Sequence, residues 1–267
     1  MRRMAKNRYW LFVLSIFCLS AVSMGDEMMA RVTDKDVIAL TKTIGQQEKK
    51  FERALDSKFK RSILRGPSGE IDVNTYLADL SEAIQQHGKR FTSSYAASTE
   101  ATEVLRRADF MNSYIHKNPS MKGANEWDVF GSGLQQLAAA YGTSFPLPDD
   151  PVIRRIGDGE LADAATAINK FSKSLEKSIG GQTRKNKALA EPVKSIKADL
   201  KTMADVSKTL SSRIRSGKPA SAEARQLMEA AERVAALVGT EGMPDEVVAS
   251  WEAGAPSIRK VAQAFNL

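Results

Sequence analysis

One pattern occurs twice in this chain: an aromatic residue, aliphatics at +7 and +10, Ala at +11 and a second aromatic at +14. Trp127, Leu134, Leu137, Ala138 and Tyr141 form the first copy, and Trp251, Ile258, Val261, Ala262 and Phe265 form the second. At 100° per residue the four large positions fall within roughly a 90° arc of one helix face. The correspondence extends upstream. Ala97-Ser98-Thr99-Glu100-Ala101 matches Ala220-Ser221-Ala222-Glu223-Ala224, Ala78-Asp79-Leu80 matches Ala198-Asp199-Leu200, and Phe51 with Leu55-Asp56 matches Phe171 with Leu175-Glu176. A tandem duplication of a helical unit is the plainest account, and it predicts an all-α chain of two similar bundles. It gives architecture and no chemistry.

The N-terminus carries Arg2, Arg3, Lys6 and Arg8 without an acid, then an apolar run from Trp10 to about Val22, then Ser20-Ala21-Val22-Ser23. Basic, apolar and small-residue regions in that order predict a secretory signal peptide over residues 1–23, cleaved after Ser23, with Gly25 the competing site. The apolar run is short for a permanent span of a ~30 Å hydrocarbon core. Cys18 is the only cysteine and lies inside this run; Phe17 before it argues against lipidation. A mature chain would then have neither disulfide nor thiolate metal site and would be held together by apolar packing. Four of the 39 basic residues and none of the 32 acids lie in the leader, so the overall charge of +7 falls to +3. Lys and Glu are interspersed along helical faces, as on a solvated surface. The clustered basic stripe of a nucleic-acid binder is lacking: Lys58 to Arg65 and Arg184 to Lys187 are short.

Helical periodicity dominates, and alternating β-branched runs are few. Helix A is expected from about Asp34 to Ile63, with Ile44, Phe51, Leu55 and Phe59 inward, ended by Arg65-Gly66-Pro67-Ser68-Gly69. Helix B starts near Asp72 with Val73, Tyr76, Leu80 and Ile84 inward. Helix C runs from about Ser98 to Lys117 and helix D from about Ala124 to Tyr141. The Ser93–Ser98 stretch holds no Gly or Pro, so B and C alone read either as two helices or as one of 45 residues. The second unit has Arg215-Ser216-Gly217-Lys218-Pro219 at the matching place, which predicts a turn in both. Ser98 and Ser221, followed by Glu100 and Glu223, read as helix caps with a first-turn acid. Helices A′ to D′ are expected at about 158–178, 189–215, 222–237 and 245–265, with Pro256 inside the last. The domain plan is then a first unit over 24–142, a proline-stiffened connector over 143–156 and a second unit over 157–267. Each unit is an up-down four-helix bundle.

Phe51-x3-Leu55-Asp56, Glu70-Ile71-Asp72-Val73, the run from Val104 to Met111, and Trp127-x6-Leu134-x2-Leu137-Ala138-x2-Tyr141 together resemble a group of exported bacterial helical proteins with one or two copies of this pattern. The resemblance covers residues 50–142 and extends to the second unit through its Phe, Leu, Trp and aromatic positions. It weakens in helix C′, where Glu232-Arg233-Val234 replaces Asp109-Phe110-Met111. It implies export and helical repeats, with no assigned reaction.

The anchors shared by both units (Phe51, Leu55, Trp127, Leu134, Leu137, Tyr141; Phe171, Leu175, Trp251, Ile258, Val261, Phe265) all have packing roles, each Trp filling a bundle end with its indole N–H towards water. His87 and His116 are the only histidines and the only candidates for a cofactor ligand, such as haem iron. Neither belongs to a Glu-x-x-His pair, since residues 84 and 113 are Ile and Ser, and no Cys-x-x-Cys-His occurs. The counterpart of His87 is Ser207. Gly131-Ser132-Gly133 lies on helix D and reads as a site of close helix approach. Gly180-Gly181 ends helix A′, Gly157-Asp158-Gly159 begins it, and Asp149-Asp150 are turn residues; none makes a nucleophile elbow or phosphate loop.

The expectation is an exported, non-enzymatic helical protein without cofactor, metal or nucleic acid, binding a protein or cell-envelope component and lacking an integral membrane segment once mature. A small-ligand or haem/metal-binding bundle is the alternative, and a membrane-surface role a third. A site, if the chain has one, belongs where the two units differ.

Overall fold

The computed structural model describes residues 31–66, 69–182, 190–239 and 243–267. The segment expected to be a signal peptide, with Cys18, and the basic run Arg184–Lys187 lie outside these residues. The chain is all-α, with one short hairpin, and divides into two compact units. One is Val32–Gly157; the other is Asp158–Leu267, with Arg31. No helix among the described residues is long and apolar enough to cross a membrane.

In the first unit, α1 (Asp34–Ala54) begins with a capping box. Thr33 Oγ1 accepts from the Asp36 N–H at 3.2 Å, and Asp36 Oδ2 accepts from the Thr33 N–H at 3.3 Å. The expected helix A is shorter than its periodicity implied. Leu55 turns extended (ψ 141°), and the Asp56 carboxylate accepts from the Lys58 N–H at 2.8 Å, starting a separate short helix, α2 (Ser57–Lys60). A side chain that satisfies the first N–H groups of a new turn ends the preceding helix. The chain then forms an antiparallel hairpin, β1 (Ile63–Gly66) with β2 (Gly69–Asp72), Ile63 opposite Asp72 and Leu64 opposite Ile71. Asp72 ends the hairpin by capping α3 (Val73–Arg90) through the Thr75 N–H at 2.8 Å.

A turn over residues 91–97 separates α3 from α4 (Ser98–Lys117), so the continuous helix is excluded. Ser98 does not cap. The cap residue is the buried Ala97, in the left-handed region (φ 48°), and Ser98 Oγ instead accepts from the Arg155 N–H at 3.2 Å. In the second unit Ala220 precedes the helix without a side-chain cap, so Ser221 does not cap either. The last helix, α5 (Ala124–Ala140), closes on α1. The ring of contacts is α1–α3, α3–α4, α4–α5 and α5–α1, around a core built on Phe51, Leu80, Leu105, Met111, Trp127 and Leu134.

Residues 143–156 are not a free spacer. The Leu147 N–H donates to Asp109 Oδ1 at 3.2 Å, the Arg154 N–H to Tyr141 O at 3.0 Å, and Phe145 is buried in the core. This segment belongs to the first unit.

The second unit repeats the contact ring with α6 (Asp158–Gln182), α7 (Ala190–Arg215), α8 (Ser221–Val238) and α9 (Asp245–Phe265). Helix α6 runs on past the expected stop at Gly180. A Cβ on Gly180 would lie 3.1 Å from Lys197 Nζ, so its small size admits the α7 lysine. Helix α9 continues through Pro256. Gly217 ends α7 with φ 62°: its N–H donates to Ile214 O at 2.9 Å and that of Lys218 to Arg213 O at 2.9 Å.

Candidate functional site

The shared anchors are spent on packing in both units. Phe51 meets Trp127 edge-on with ring centroids 5.0 Å apart, and Phe171 meets Trp251 at 5.7 Å. The Trp127 indole N–H does not reach water as expected; it donates to buried Asn112 Oδ1 at 3.1 Å. Polar bridges also recur. Arg90–Glu100 (3.0 Å) crosses the turn between α3 and α4, and Arg213–Glu223 (3.2 Å) crosses the turn between α7 and α8. Arg107–Asp79 (3.1 Å) and Arg233–Asp199 (2.9 Å) each join those helices through the Asp of the Ala-Asp-Leu motif.

Where the first unit stacks Phe130 on Phe51, the second has Gly254, and the Phe171 ring fills the space itself. A Cβ on Gly254 would lie 2.6 Å from three atoms of that ring. Gly254→Ala is therefore expected to destabilise the second unit by about 1–3 kcal/mol through overpacking, read by urea unfolding. Gly133 has the same role on α5, since its Cβ would fall 3.0 Å from Ile44 Cγ1, whereas Gly131 faces open space.

The units differ in their polar interior. His87 is fully buried on α3. Its Nδ1 lies 3.0 Å from Thr41 Oγ1 on α1 and its Nε2 lies 2.7 Å from the Tyr141 hydroxyl at the end of α5. The Tyr141 hydroxyl also lies 2.6 Å from Ala96 O, and Thr41 Oγ1 2.8 Å from Val37 O. Each hydroxyl has one proton to divide between a main-chain carbonyl and the ring, and the neutral imidazole donates from one nitrogen and accepts at the other. Burial holds the imidazole neutral, its pKa lowered to about 4. A haem iron or metal at His87 would have to displace one of these two partners. Among the described residues, no group of three His, Cys, Asp or Glu is arranged to hold a metal ion. Leu161, Ser207 and Phe265 occupy the equivalent places in the second unit. Tyr141→Phe adopts that unit's residue yet strands Ala96 O and His87 Nε2. The expected loss is about 1–3 kcal/mol, measured by denaturant unfolding.

The second difference is Glu48. It lies on α1 between Ile44 and Phe51, 1% exposed, and its equivalent is Ile168. Its Oε2 is 3.4 Å from Ser81 Oγ on α3, and its Oε1 has no hydrogen-bond partner. Desolvation, assisted by the nearby Glu52 charge, raises its pKa to about 7 against the Ser81 hydrogen bond and Lys49. Glu48 lines a groove of about 430 Å³ between α1 and α3, with Ile38, Thr41, Gly45, Ile84 and Gly88 among the walls and Lys42 and Lys49 alongside. A smaller hollow between α3 and α4, about 280 Å³, is lined by Asp79, Glu82, Glu100 and Glu103 with Arg107.

A third polar cluster comes from the segment read as a connector. The Arg155 side chain is buried; Nη2 donates to Asp34 Oδ1 at 2.7 Å and to Val32 O at 2.6 Å, Nε to Asp34 Oδ1 at 3.2 Å, and Nη1 to Ala140 O at 3.3 Å. It ties the start of α1 to the end of α5. His116 lies apart from these sites, its Nδ1 2.8 Å from Asn112 O at the end of α4. Asp149-Asp150 are in the irregular segment before α6, and Gly157-Asp158-Gly159 at its start.

Sequence reasoning missed Glu48, Thr41 and Arg155. The signal for the first two was present: residues 41, 44, 48, 51 and 55 form one 3–4-spaced stripe, so Thr41 and Glu48 are polar side chains on the face aimed at the core. Comparison with family models, curated proteins and solved structures found no match to this chain.

Proposed function

We propose that this is an exported, non-enzymatic helical protein, built from two copies of one four-helix unit, that acts as a binding or scaffold module in the cell envelope. The observation that carries the reading is the division of labour between the copies. The positions they share pair aromatics, fill cores and bridge neighbouring helices. Buried polar atoms without a partner occur in both, among them Glu48 Oε1 in the first copy and Ser172 Oγ and Glu223 Oε2 in the second. Among the described residues, however, the buried ionisable groups displaced far from their ordinary titration, Glu48 and His87 among them, belong to the first copy. An ancestral repeat that supplies stability, with one copy adapted for recognition, produces that distribution.

The leader-like residues 1–23 and the resemblance to exported helical proteins supply the envelope part of the reading. Exposed large hydrophobics support the first copy as the binding face: among the described residues, Ile38, Ile63, Tyr95, Val129 and Val152 belong to it, and only Leu267 to the second. The test is to express the whole chain in a bacterium, fractionate the cells and sequence the N-terminus of the recovered protein. A periplasmic or envelope-bound chain beginning at Met24 or Asp26 is the expected result. A cytosolic chain with Met1 intact, or turnover of a small molecule by the pure protein, refutes the proposal.

A further inference from the structure

We propose that the groove between α1 and α3 binds a small uncharged amphiphile, an apolar body with one hydroxyl or amide N–H that donates to Glu48 Oε1. The inference goes beyond export and envelope binding, and it stands or falls without them. Its first support is the carboxyl itself. Glu48 lines the groove, and its Oε1 is buried without a hydrogen-bond partner, so the carboxyl offers an unused acceptor beside the groove.

The second support is the pair of glycines. Gly45 and Gly88 sit inside helices, where glycine is unfavourable unless packing requires it. Packing does not: a Cβ on Gly45 would lie 3.5 Å from Ile84 Cγ2, and one on Gly88 3.5 Å from Thr41 Cγ2, both ordinary contacts. Their missing side chains instead leave the groove open. In the second unit the same positions are Ala165 and Lys208, with Ile168 for Glu48, and Ala165 and Ile168 are fully buried. The changes that create the carboxyl and the glycines fall together in one copy.

Ligand chemistry follows from the lining. About 430 Å³ is within the usual range of small-molecule pockets, roughly 300–1,000 Å³. Ile38 and Ile84 favour an apolar body. Lys42 and Lys49 disfavour a cation, Glu48 and Glu52 disfavour an anion, and all four are on α1. From α3 the groove receives Ser81, Ile84, Gln85 and Gly88, none of them charged. A donor to the carboxylate favours its ionised form, so binding lowers the Glu48 pKa from about 7 and strengthens as pH rises through that value.

The experiment titrates the full chain with 1-octanol and with heptyl methyl ether, a probe of similar length without the donor, following the Glu48 carboxyl carbon and neighbouring amides by NMR at pH 6 and pH 8. Octanol is expected to shift α1 and α3 resonances, to bind about tenfold more tightly than the ether, and to bind more tightly at pH 8. Glu48→Met should abolish the preference for the alcohol while leaving ether binding, and Gly88→Leu should remove binding of both. Far-UV circular dichroism verifies that each variant is folded. No saturable shift with octanol, equal affinity for alcohol and ether, or an unchanged preference in Glu48→Met overturns the proposal, as does tighter binding of octylammonium than of octanol.

Discussion

Arg155→Met is expected to destabilise the first unit by about 3–5 kcal/mol, the largest single-residue effect in the chain. Arg155 contributes a buried guanidinium to the Asp34 carboxylate and completes its bonding on two main-chain oxygens, Val32 O and Ala140 O. Met preserves much of the side-chain volume but deletes the charge. Asp34 then keeps its burial and loses this cation, and two carbonyls lose donors. Part of the loss belongs to a buried carboxylate that no longer faces the guanidinium, so Asp34→Asn in the same background should recover some of it. Urea unfolding of the four chains in a double-mutant cycle measures the coupling. A loss below 1 kcal/mol for Arg155→Met, or strict additivity with Asp34→Asn, contradicts the role assigned to this pair.

The second large effect is a cancellation in the pH dependence of stability. Unfolded Glu48 titrates near 4.5 and folded Glu48 near 7. Between those values the folded state holds a proton that the unfolded state has released, so this group makes stability fall as pH rises. His87 works in the opposite sense, with 6.5 in the unfolded chain and about 4 in the folded one. There the unfolded state holds the extra proton, and stability is lost as pH falls from about 6.5 to about 4. Each displacement is worth roughly 3 kcal/mol, and the windows overlap, so the parent protein should be nearly flat between pH 4.5 and 6.5. Glu48→Gln should unmask a rise across that range and be the more stable protein at pH 7.5. His87→Gln should unmask a fall between pH 4.5 and 7, and the double variant should be flat again. Denaturant unfolding at four pH values checks this, and a flat Glu48→Gln profile would contradict it.

Helices were legible because their inward residues recur at 3–4 spacing and their ends are marked by Gly and Pro; Gly217 showed where to divide α3 from α4. The end of α1 was not, because Asp56 terminates a helix whose apolar stripe continues to Phe59, and caps act locally against a periodicity that carries no stop. Ser98 had a cap's sequence context, yet its hydroxyl accepts from a main-chain N–H 57 residues away. The candidate site was half legible. Comparing the copies led to His87, which pairs with Thr41 and Tyr141. Glu48 was hidden among the Lys and Glu residues of α1, where only its phase with Ile44 and Phe51 separates it from a solvated face. Arg155 makes its bonds across more than a hundred residues of sequence, a separation that no local pattern encodes.

Site-specific photo-crosslinking in cells that produce the chain distinguishes a copy that binds from one that supplies only the structural frame. A benzophenone side chain is placed at exposed Ile38 or Val129 in the first unit and at exposed Asp205 or Glu252 in the second. A discrete adduct with one envelope component is expected from the first-unit positions and none from the second. Adducts from the second unit alone, or an exported chain that crosslinks to nothing from any position, would contradict binding by the first copy.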